Sequence, residues 1–435
     1  MSLVRRTVMF SVLLAPLACG GGGSPGGTPG TAGAAGSVAS AGATAMGGAP
    51  ASAGSPGAAG ATEVAGSSSG GGAGLAGTAG GGGGVAGSSA GGAGGDASSG
   101  AGGAMAGAGG GAPVLNADVV ALMRRVADNA LQNPGTAKDW IYGTMWTGIM
   151  ATYQITHDTK YLDAIKKWAG ASWSLADGAA SRGDNQCAAQ TYFDAYLLDP
   201  TAANMVMLTG AKASYDQLVA NPPKGRVEWW WEDALFMVPP GFARLGAATA
   251  NKQYFSVLDG MYWDTYTFLW SPASNLMYRD DMHRNEFWAR GNGWVIAGAV
   301  RVLQYLPADD AKRADYAKVV TDMAGALKKV QGTDGMWRSN LLVPTQYPNQ
   351  ETTGTGLFTY GMAWGLSNGL LDDATYLPVV QKAWTGLTSV VGANGAVGWC
   401  QPVGAGPAAA TSGSTTPFGV GAWLLAASEV AKLQP

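Results

Sequence analysis

The chain has 435 residues, a formal charge of −3 and 69 glycines. Nucleic-acid binding calls for a basic face, which this charge does not supply. The two histidines, His157 and His283, lie too far apart for metal-ligand spacing, and three cysteines cannot make a disulfide scaffold.

The chain begins M-S-L-V-R-R, runs through an apolar stretch from Val8 to Leu17, and reaches Cys19. A positive start followed by a short apolar run is the pattern of an export signal, too short for a transmembrane anchor. Cys19 follows Ala18 and precedes a glycine run, which resembles a bacterial lipoprotein signal. The leucine usual three places before such a cysteine is Pro16 here, with Leu17 one place late. Residues 1–19 are therefore expected to be an export signal of lipoprotein type. A lipid on Cys19 would be the one membrane attachment and would hold the protein at a bacterial envelope, on the cell surface or in the periplasm. Residues 20–113 are almost entirely Gly, Ala and Ser, with only Glu63 and Asp96 charged and no aromatic residue. Such a segment cannot bury enough surface to offset chain entropy, so it is expected to be a disordered linker. A Gly-rich chain of this length spans roughly 50–60 Å root-mean-square. Its chance G-x-G-x-x-G spacings have no strand before them and no helix after them, and no Walker-type lysine motif occurs, so no cofactor is expected.

Residues 114–435 hold all 16 tryptophans and all 15 tyrosines, and their length fits one large domain. Helical periodicity recurs over 117–132, 141–155, 160–176, 186–198, 201–220, 229–247, 251–269, 288–305, 309–331, 353–371, 375–391 and 416–432. Asn133-Pro134, Pro222-Pro223, Gly332 to Gly335, Pro344 and Pro348 punctuate it. Mild extended character occurs only over 336–343 and 396–403. The segments 141–155, 186–198, 229–247, 288–305, 353–371 and 416–432 are apolar and glycine-containing, and they alternate with charged ones. That alternation predicts six antiparallel hairpins closed into an all-α (α/α)6 barrel, the apolar helices forming the inner ring. A helical solenoid is the alternative, but no repeat consensus is visible. Pro239-Pro240 predicts a kink or helix end inside the third apolar segment.

Two stretches concentrate chemistry. Residues 229–237 read W-W-W-E-D-A-L-F-M, and 287–294 read F-W-A-R-G-N-G-W. A carboxyl beside three tryptophans loses solvation, so the pKa of Asp233 is expected to rise. Glu232 is expected to point elsewhere, as a minor influence on Asp233. An arginine between tryptophans, Arg290, suits a bound carboxylate because its guanidinium forks onto two oxygens. One acid able to hold a proton and one anion clamp, both ringed by indoles, point to an acidic sugar.

Plainer roles are available for most of these residues. Asp233 could be a structural helix carboxylate, Arg290 a buried ion-pair partner between hairpins, and Asp184 a helix N-cap. Gly291 and Gly293 could serve a tight helix start. Glu351 could cap a helix or contact a ligand. Trp229, Trp230 and Trp231 cannot all face one way on a helix. The pairs Asp280-Asp281, Asp309-Asp310 and Asp372-Asp373 read as solvated loop charges. Cys187 reads as a buried thiol, and whether it meets Cys400 is open.

Taken together, W-E-D-A-L-F-M with P-P following, F-W-A-R-G-N-G-W, G-D-N-Q-C-A-A-Q-T-Y and E-T-T-G-T-G resemble the unsaturated uronyl hydrolases, glycoside hydrolase families 88 and 105. The fit is closer to the rhamnogalacturonyl hydrolases of family 105, and it runs from about Trp140 to Leu433. The resemblance implies a six-hairpin barrel acting on an acidic oligosaccharide with a 4,5-unsaturated uronyl residue at its non-reducing end. It implies protonation of C4 of the vinyl ether, addition of water at C5, and opening of the resulting hemiketal. Asp233 falls on the family's general acid and base. Asp184 falls on its second aspartate, in a segment where many relatives carry two aspartates and this chain has Asp184-Asn185. Arg290 and Trp294, with Asn292 between them, fall on the uronate and ring contacts, and Trp140 and Trp146 lie where the family places sugar-contacting aromatics. Trp231 and Arg279 complete the expected substrate-binding set; some relatives have a histidine near Arg279, whose role does not transfer to an arginine. The expected substrate is an unsaturated galacturonyl oligosaccharide from pectin or rhamnogalacturonan. Other functions compatible with such a barrel are a lyase, a sugar epimerase, an inverting glycosidase, or a non-catalytic protein that binds acidic oligosaccharides.

Overall fold

The computed structural model describes residues 115–176 and 183–433. The expected export signal and linker lie outside the described residues. Fourteen α-helices follow in order: α1 (Ala117–Ala130), α2 (Trp140–Thr156), α3 (Thr159–Ala169), α4 (Gly183–Gln186), α5 (Ala188–Leu198), α6 (Met205–Ala220), α7 (Ala234–Met237), α8 (Pro239–Thr249), α9 (Lys252–Leu269), α10 (Ala289–Leu303), α11 (Arg313–Lys329), α12 (Thr352–Ser367), α13 (Asp373–Ser389) and α14 (Pro417–Val430). A hairpin of two short antiparallel strands, β1 (Trp270–Ser271) and β2 (Leu276–Met277), lies between α9 and α10.

Burial sorts the helices into two layers. In α3 the buried positions Tyr161, Ile165, Trp168 and Ala169 form one stripe, as expected of a helix with one face in water. In α10 every residue from Ala289 to Leu303 is buried, so that helix is enclosed on all sides. The enclosed helices close a ring: α2 packs on α5, α5 on α8, α7 and α8 on α10, α10 on α12, α12 on α14, and α14 back on α2. Helices α1, α3, α6, α9, α11 and α13 lie outside it. With α4–α5 and α7–α8 each taken as one interrupted helix, the layout is the (α/α)6 barrel. Ring closure rules out the open solenoid. Where α2 meets α14 the backbones touch, and a β-carbon on Gly148 would lie 2.8 Å from the carbonyl oxygen of Gly421.

Several segments depart from the sequence expectations. Helix α3 ends at Gly170, whose φ of 72° is a conformation glycine adopts without strain, and does not run on to 176. The expected helix over 229–247 begins only at Ala234, because the Glu232 N–H donates to the Arg279 carbonyl at 2.9 Å and draws 229–233 into a loop. The proline pair acts as expected: α7 stops at Met237, and α8 begins with Pro239, which gives up no helical donor there. The β1–β2 hairpin was not anticipated, and Asn275 makes its turn with φ 54°. The segments expected to be extended contribute only isolated bridges, Trp288 to Asn340 and Val391 to Val397. Cys187 and Cys400 are separate buried thiols, and burial pushes each up to about 12.

Candidate active site

The six inner helices run the same way, so their N-terminal turns gather at one end of the barrel. Trp140 opens α2, Asp184 lies in the first turn of α4, Asp233 immediately precedes α7, and Arg290, Asn292 and Trp294 occupy the first two turns of α10. Helix N-termini carry partial positive charge from their unpaired N–H groups and dipoles, so this end favours an anion. The hairpin and the loop after Cys400 complete its rim.

Asp233 is the centre of the cluster. Its residue keeps some accessible surface, but Oδ2 is buried with no protein hydrogen-bond partner. Burial pushes its carboxyl up to about 6; the charge of Asp184 adds to the rise, and Arg290 and Arg279 oppose it. A carboxyl in that range holds a proton at mildly acidic pH and releases it near neutrality, as an acid that later acts as a base requires. A cleft of about 370 Å³ opens beside it, lined by Asp184, Trp230, Trp231 and Arg279 together with Gly183, Val227 and Glu228. Trp231 packs against half-exposed Trp230 with ring centroids 4.8 Å apart, and the Arg279 guanidinium lies 5.4 Å from the Trp230 ring. Arg279 pairs with Asp280 and leaves Nε without a partner.

Arg290 is placed differently from an open clamp. It is fully buried, its Nη1 donates to the carbonyls of Gln401 (3.2 Å) and Pro402 (3.0 Å), and its Nη2 donates to that of Gly404 (3.0 Å). Both arms of the fork therefore hold the loop after Cys400, and only Nε lacks a partner. The guanidinium sits 4.3 Å from the Trp288 ring and 4.9 Å from that of Phe418. Desolvation lowers its pKa to about 10, so it stays charged and acts on Asp233 through its field. The plainer expectation, a buried cation joining segments, describes it well, with backbone carbonyls in place of an ion-pair partner.

Three more expected contacts lie beneath the site surface. Trp294 has no exposed area; it packs on Phe236 at 4.8 Å and meets Trp140 edge-on at 6.4 Å, so no face is open to a sugar. Asn292 is also fully buried, its Oδ1 accepting from the Met277 N–H (2.7 Å) and its Nδ2 shared among the Met277 carbonyl, the Trp288 carbonyl and Glu232. It ties β2 to α10 and has no group left for substrate. Trp146 stacks on Trp168 of α3 at 5.0 Å, between the inner and outer rings and away from the cluster. Trp140 is only partly buried, packs on Phe418 at 4.8 Å, and remains at the rim.

Glu351 caps α12, accepting from the Thr353 and Gly354 N–H groups at 2.8 and 2.7 Å. Asp184 lies within α4 and does not cap it. Asp280 is not a solvated loop charge: it is buried, and it accepts from Arg279, from the Met282 N–H at 2.8 Å and from the His283 N–H at 3.0 Å. Glu232, expected to be minor, is wholly buried. Its signal in the sequence is the second carboxylate in an aromatic run. Trp230, also missed, is the one indole of its trio with a largely open face. A second cavity of about 350 Å³ lies at the opposite end of the barrel, walled by Arg244, Arg301, Tyr305, Glu429 and Lys432. Its charges largely pair internally, Arg244 and Arg301 with Asp194 and Lys432 with Glu429.

Residues 119–434 match the family profile described as Glycosyl Hydrolase Family 88. A protein of Formosa agariphila named unsaturated 3S-rhamnoglycuronyl hydrolase is 33% identical over 320 residues, covering 68% of this chain and 85% of that protein. A solved glycosyl hydrolase family 88 structure from Bacteroides vulgatus is similar with a TM-score of 0.67 and 31% identity, covering 73% of this chain and 99% of that one. A solved polysaccharide lyase is also similar, with a TM-score of 0.67 and 33% identity over 72% of this chain and 96% of that one. The chain belongs to glycosyl hydrolase family 88, one of the two families its motifs resemble, and is a carbohydrate-processing enzyme of the unsaturated rhamnogalacturonyl and glucuronyl hydrolase kind.

Proposed function

We propose that this enzyme releases the 4,5-unsaturated galacturonyl residue from the non-reducing end of pectin or rhamnogalacturonan oligosaccharides, with Asp233 as the proton donor. The observation that carries the reading is Asp233 itself: a carboxyl raised to about 6, with a buried unpartnered oxygen, between Asp184 and two arginines. In its acid form Asp233 gives its proton to C4 of the vinyl ether. Positive charge develops at C5 and the ring oxygen, where the neighbouring carboxylate of Asp184 stabilises it. The ionised Asp233 then takes a proton from water as the hydroxyl bonds to C5. The product is a hemiketal at C5; its ring bond opens to a C5 ketone and leaves a hemiacetal at C1, which collapses to an aldehyde and frees the hydroxyl of the next sugar. Arg279, partly accessible at the cleft, meets the uronate, and Trp230 and Trp231 offer faces to the sugar that leaves.

The similarity to a polysaccharide lyase favours one second reading, β-elimination on intact polymer. One assay separates the two. An unsaturated galacturonyl-rhamnose disaccharide loses its ultraviolet absorbance if the hydration reading holds, whereas a lyase raises absorbance on intact polymer. Asp233→Asn removes the donor, and turnover is expected to fall by at least the 10²–10⁴-fold typical of positioned proton transfer, roughly. Unchanged turnover in that variant refutes the assignment. From the signal-like sequence that ends at Cys19 we propose, separately, that a lipid there holds the enzyme at the envelope; Cys19→Ala should release it from the membrane fraction, and retention there refutes the anchor.

A further inference from the structure

Between Asp233 and α10 lies a carboxyl that the reaction does not use. Glu232 has no exposed surface. Its N–H donates to the Arg279 carbonyl at 2.9 Å, and its Oε2 accepts from Asn292 Nδ2 at 3.3 Å. Its Oε1 is buried without a protein partner and rests directly over Gly291, where any β-carbon would overlap it. Asn292 in turn holds both the N–H and the carbonyl of Met277, two residues before Arg279. One side chain thus joins the loop that carries Asp233, the strand that leads to Arg279, and the helix that carries Arg290. Gly291 in R-G-N-G-W is the position that leaves room for it.

We propose that Glu232 is the positioning residue of this site: its carboxyl, seated over Gly291 and bonded to Asn292, fixes Asp233 against α10 and keeps Arg279 in register with it. The proposal rests on the reading of Asp233 as proton donor. Glu232 does this in its uncharged form. Burial holds its carboxyl well above the usual range, with Asp233 adding to the rise, Arg279 opposing it, and Asp280 adding again. A neutral Glu232 leaves Asp233 as the one titrating member of the pair, so it anchors the acid without adding a second negative charge beside it.

The test compares Glu232→Gln, Glu232→Leu and Asp233→Asn by pH profiles of kcat/KM on the unsaturated disaccharide. Glutamine is a neutral hydrogen-bonding isostere. It is expected to keep kcat/KM within about threefold and to leave the basic limb of the profile where it is in the parent. Leucine keeps the volume but loses the bond to Asn292. It is expected to lower kcat at least tenfold, with glutamine rescuing the loss, while thermal unfolding shows both variants folded. A leucine variant as active as the glutamine one overturns the positioning role. A basic limb that moves to lower pH in Glu232→Gln overturns the uncharged form, since only removal of a negative neighbour eases ionisation of Asp233. An active Asp233→Asn variant would instead defeat the proton-donor reading, whichever way the Glu232 variants behave.

Discussion

Raising the pH through 6 should switch the enzyme off. The raised carboxyl of Asp233, moved from 3.8 to about 6 chiefly by burial, corresponds to about 3 kcal/mol of preference for the protonated form at roughly 1.4 kcal/mol per unit. At pH 7 that leaves about one molecule in ten in the acid form, against roughly one in 1,600 for an ordinary aspartate. In the proposed reaction only the acid form of Asp233 protonates C4, so kcat/KM should fall about tenfold per pH unit above 6. Initial rates of absorbance loss between pH 4 and 9, at constant ionic strength, read the limb directly. Two substitutions should move it in opposite directions. Asp184→Asn removes a negative neighbour and should shift the limb down by roughly half a unit to one unit, and Arg279→Gln removes a positive one and should shift it up by a similar amount. Stability carries the same sign: a carboxyl raised on folding stabilises the fold below its unfolded pKa, and that contribution is lost as pH rises through about 6. A limb near 4, or a flat profile to pH 8, refutes the argument from burial.

Gly291→Ala forces a β-carbon onto Glu232 Oε1, and overpacking of this kind should lower stability by about 1–3 kcal/mol by chemical denaturation and reduce kcat with it. At the far end of the barrel, Asp194 accepts from Arg244 Nε (2.7 Å), Tyr305 Oη (2.7 Å) and Arg301 Nη2 (3.3 Å), so Asp194→Ala strands two buried cations and should cost about 3–5 kcal/mol. Trp146→Ala opens the packing against Trp168 and should destabilise by about 3–5 kcal/mol without raising KM, whereas Trp140→Ala at the rim should raise KM. Both thiols should resist an aromatic disulfide reagent until the protein unfolds, because burial pushes each up to about 12.

The barrel was legible because its two layers follow different rules of composition. Enclosed helices such as α10 and α12 are largely apolar on every face, their few polar side chains buried with them, and glycine lets their backbones meet, so they stand apart from striped helices such as α3. The rise of the Asp233 carboxyl was legible because a carboxylate set among three indoles loses solvation. What the sequence hides is direction. Arg290, Asn292 and Trp294 sit in one motif, and their identities suit substrate recognition. Yet the carbonyls at 401–404, the peptide of Met277 and the ring of Phe236 claim them first. Those partners come from distant parts of the chain and cannot be read from spacing. Trp146 was misplaced for a related reason: an enclosed helix offers two destinations for an indole, the barrel mouth and the outer ring, and composition alone does not choose. Glu232 was undervalued because neighbours on a helix diverge, and the segment turned out to be a loop drawn toward Arg279.

In the proposed reaction, proton delivery to C4 is the central step, and heavy water reports it directly. Turnover of the unsaturated disaccharide in deuterium oxide, followed by nuclear magnetic resonance of the released uronate, should show one deuterium at C4 under stereochemical control. Product with no deuterium at C4, or an unsaturated uronate released with its double bond intact, would contradict the account.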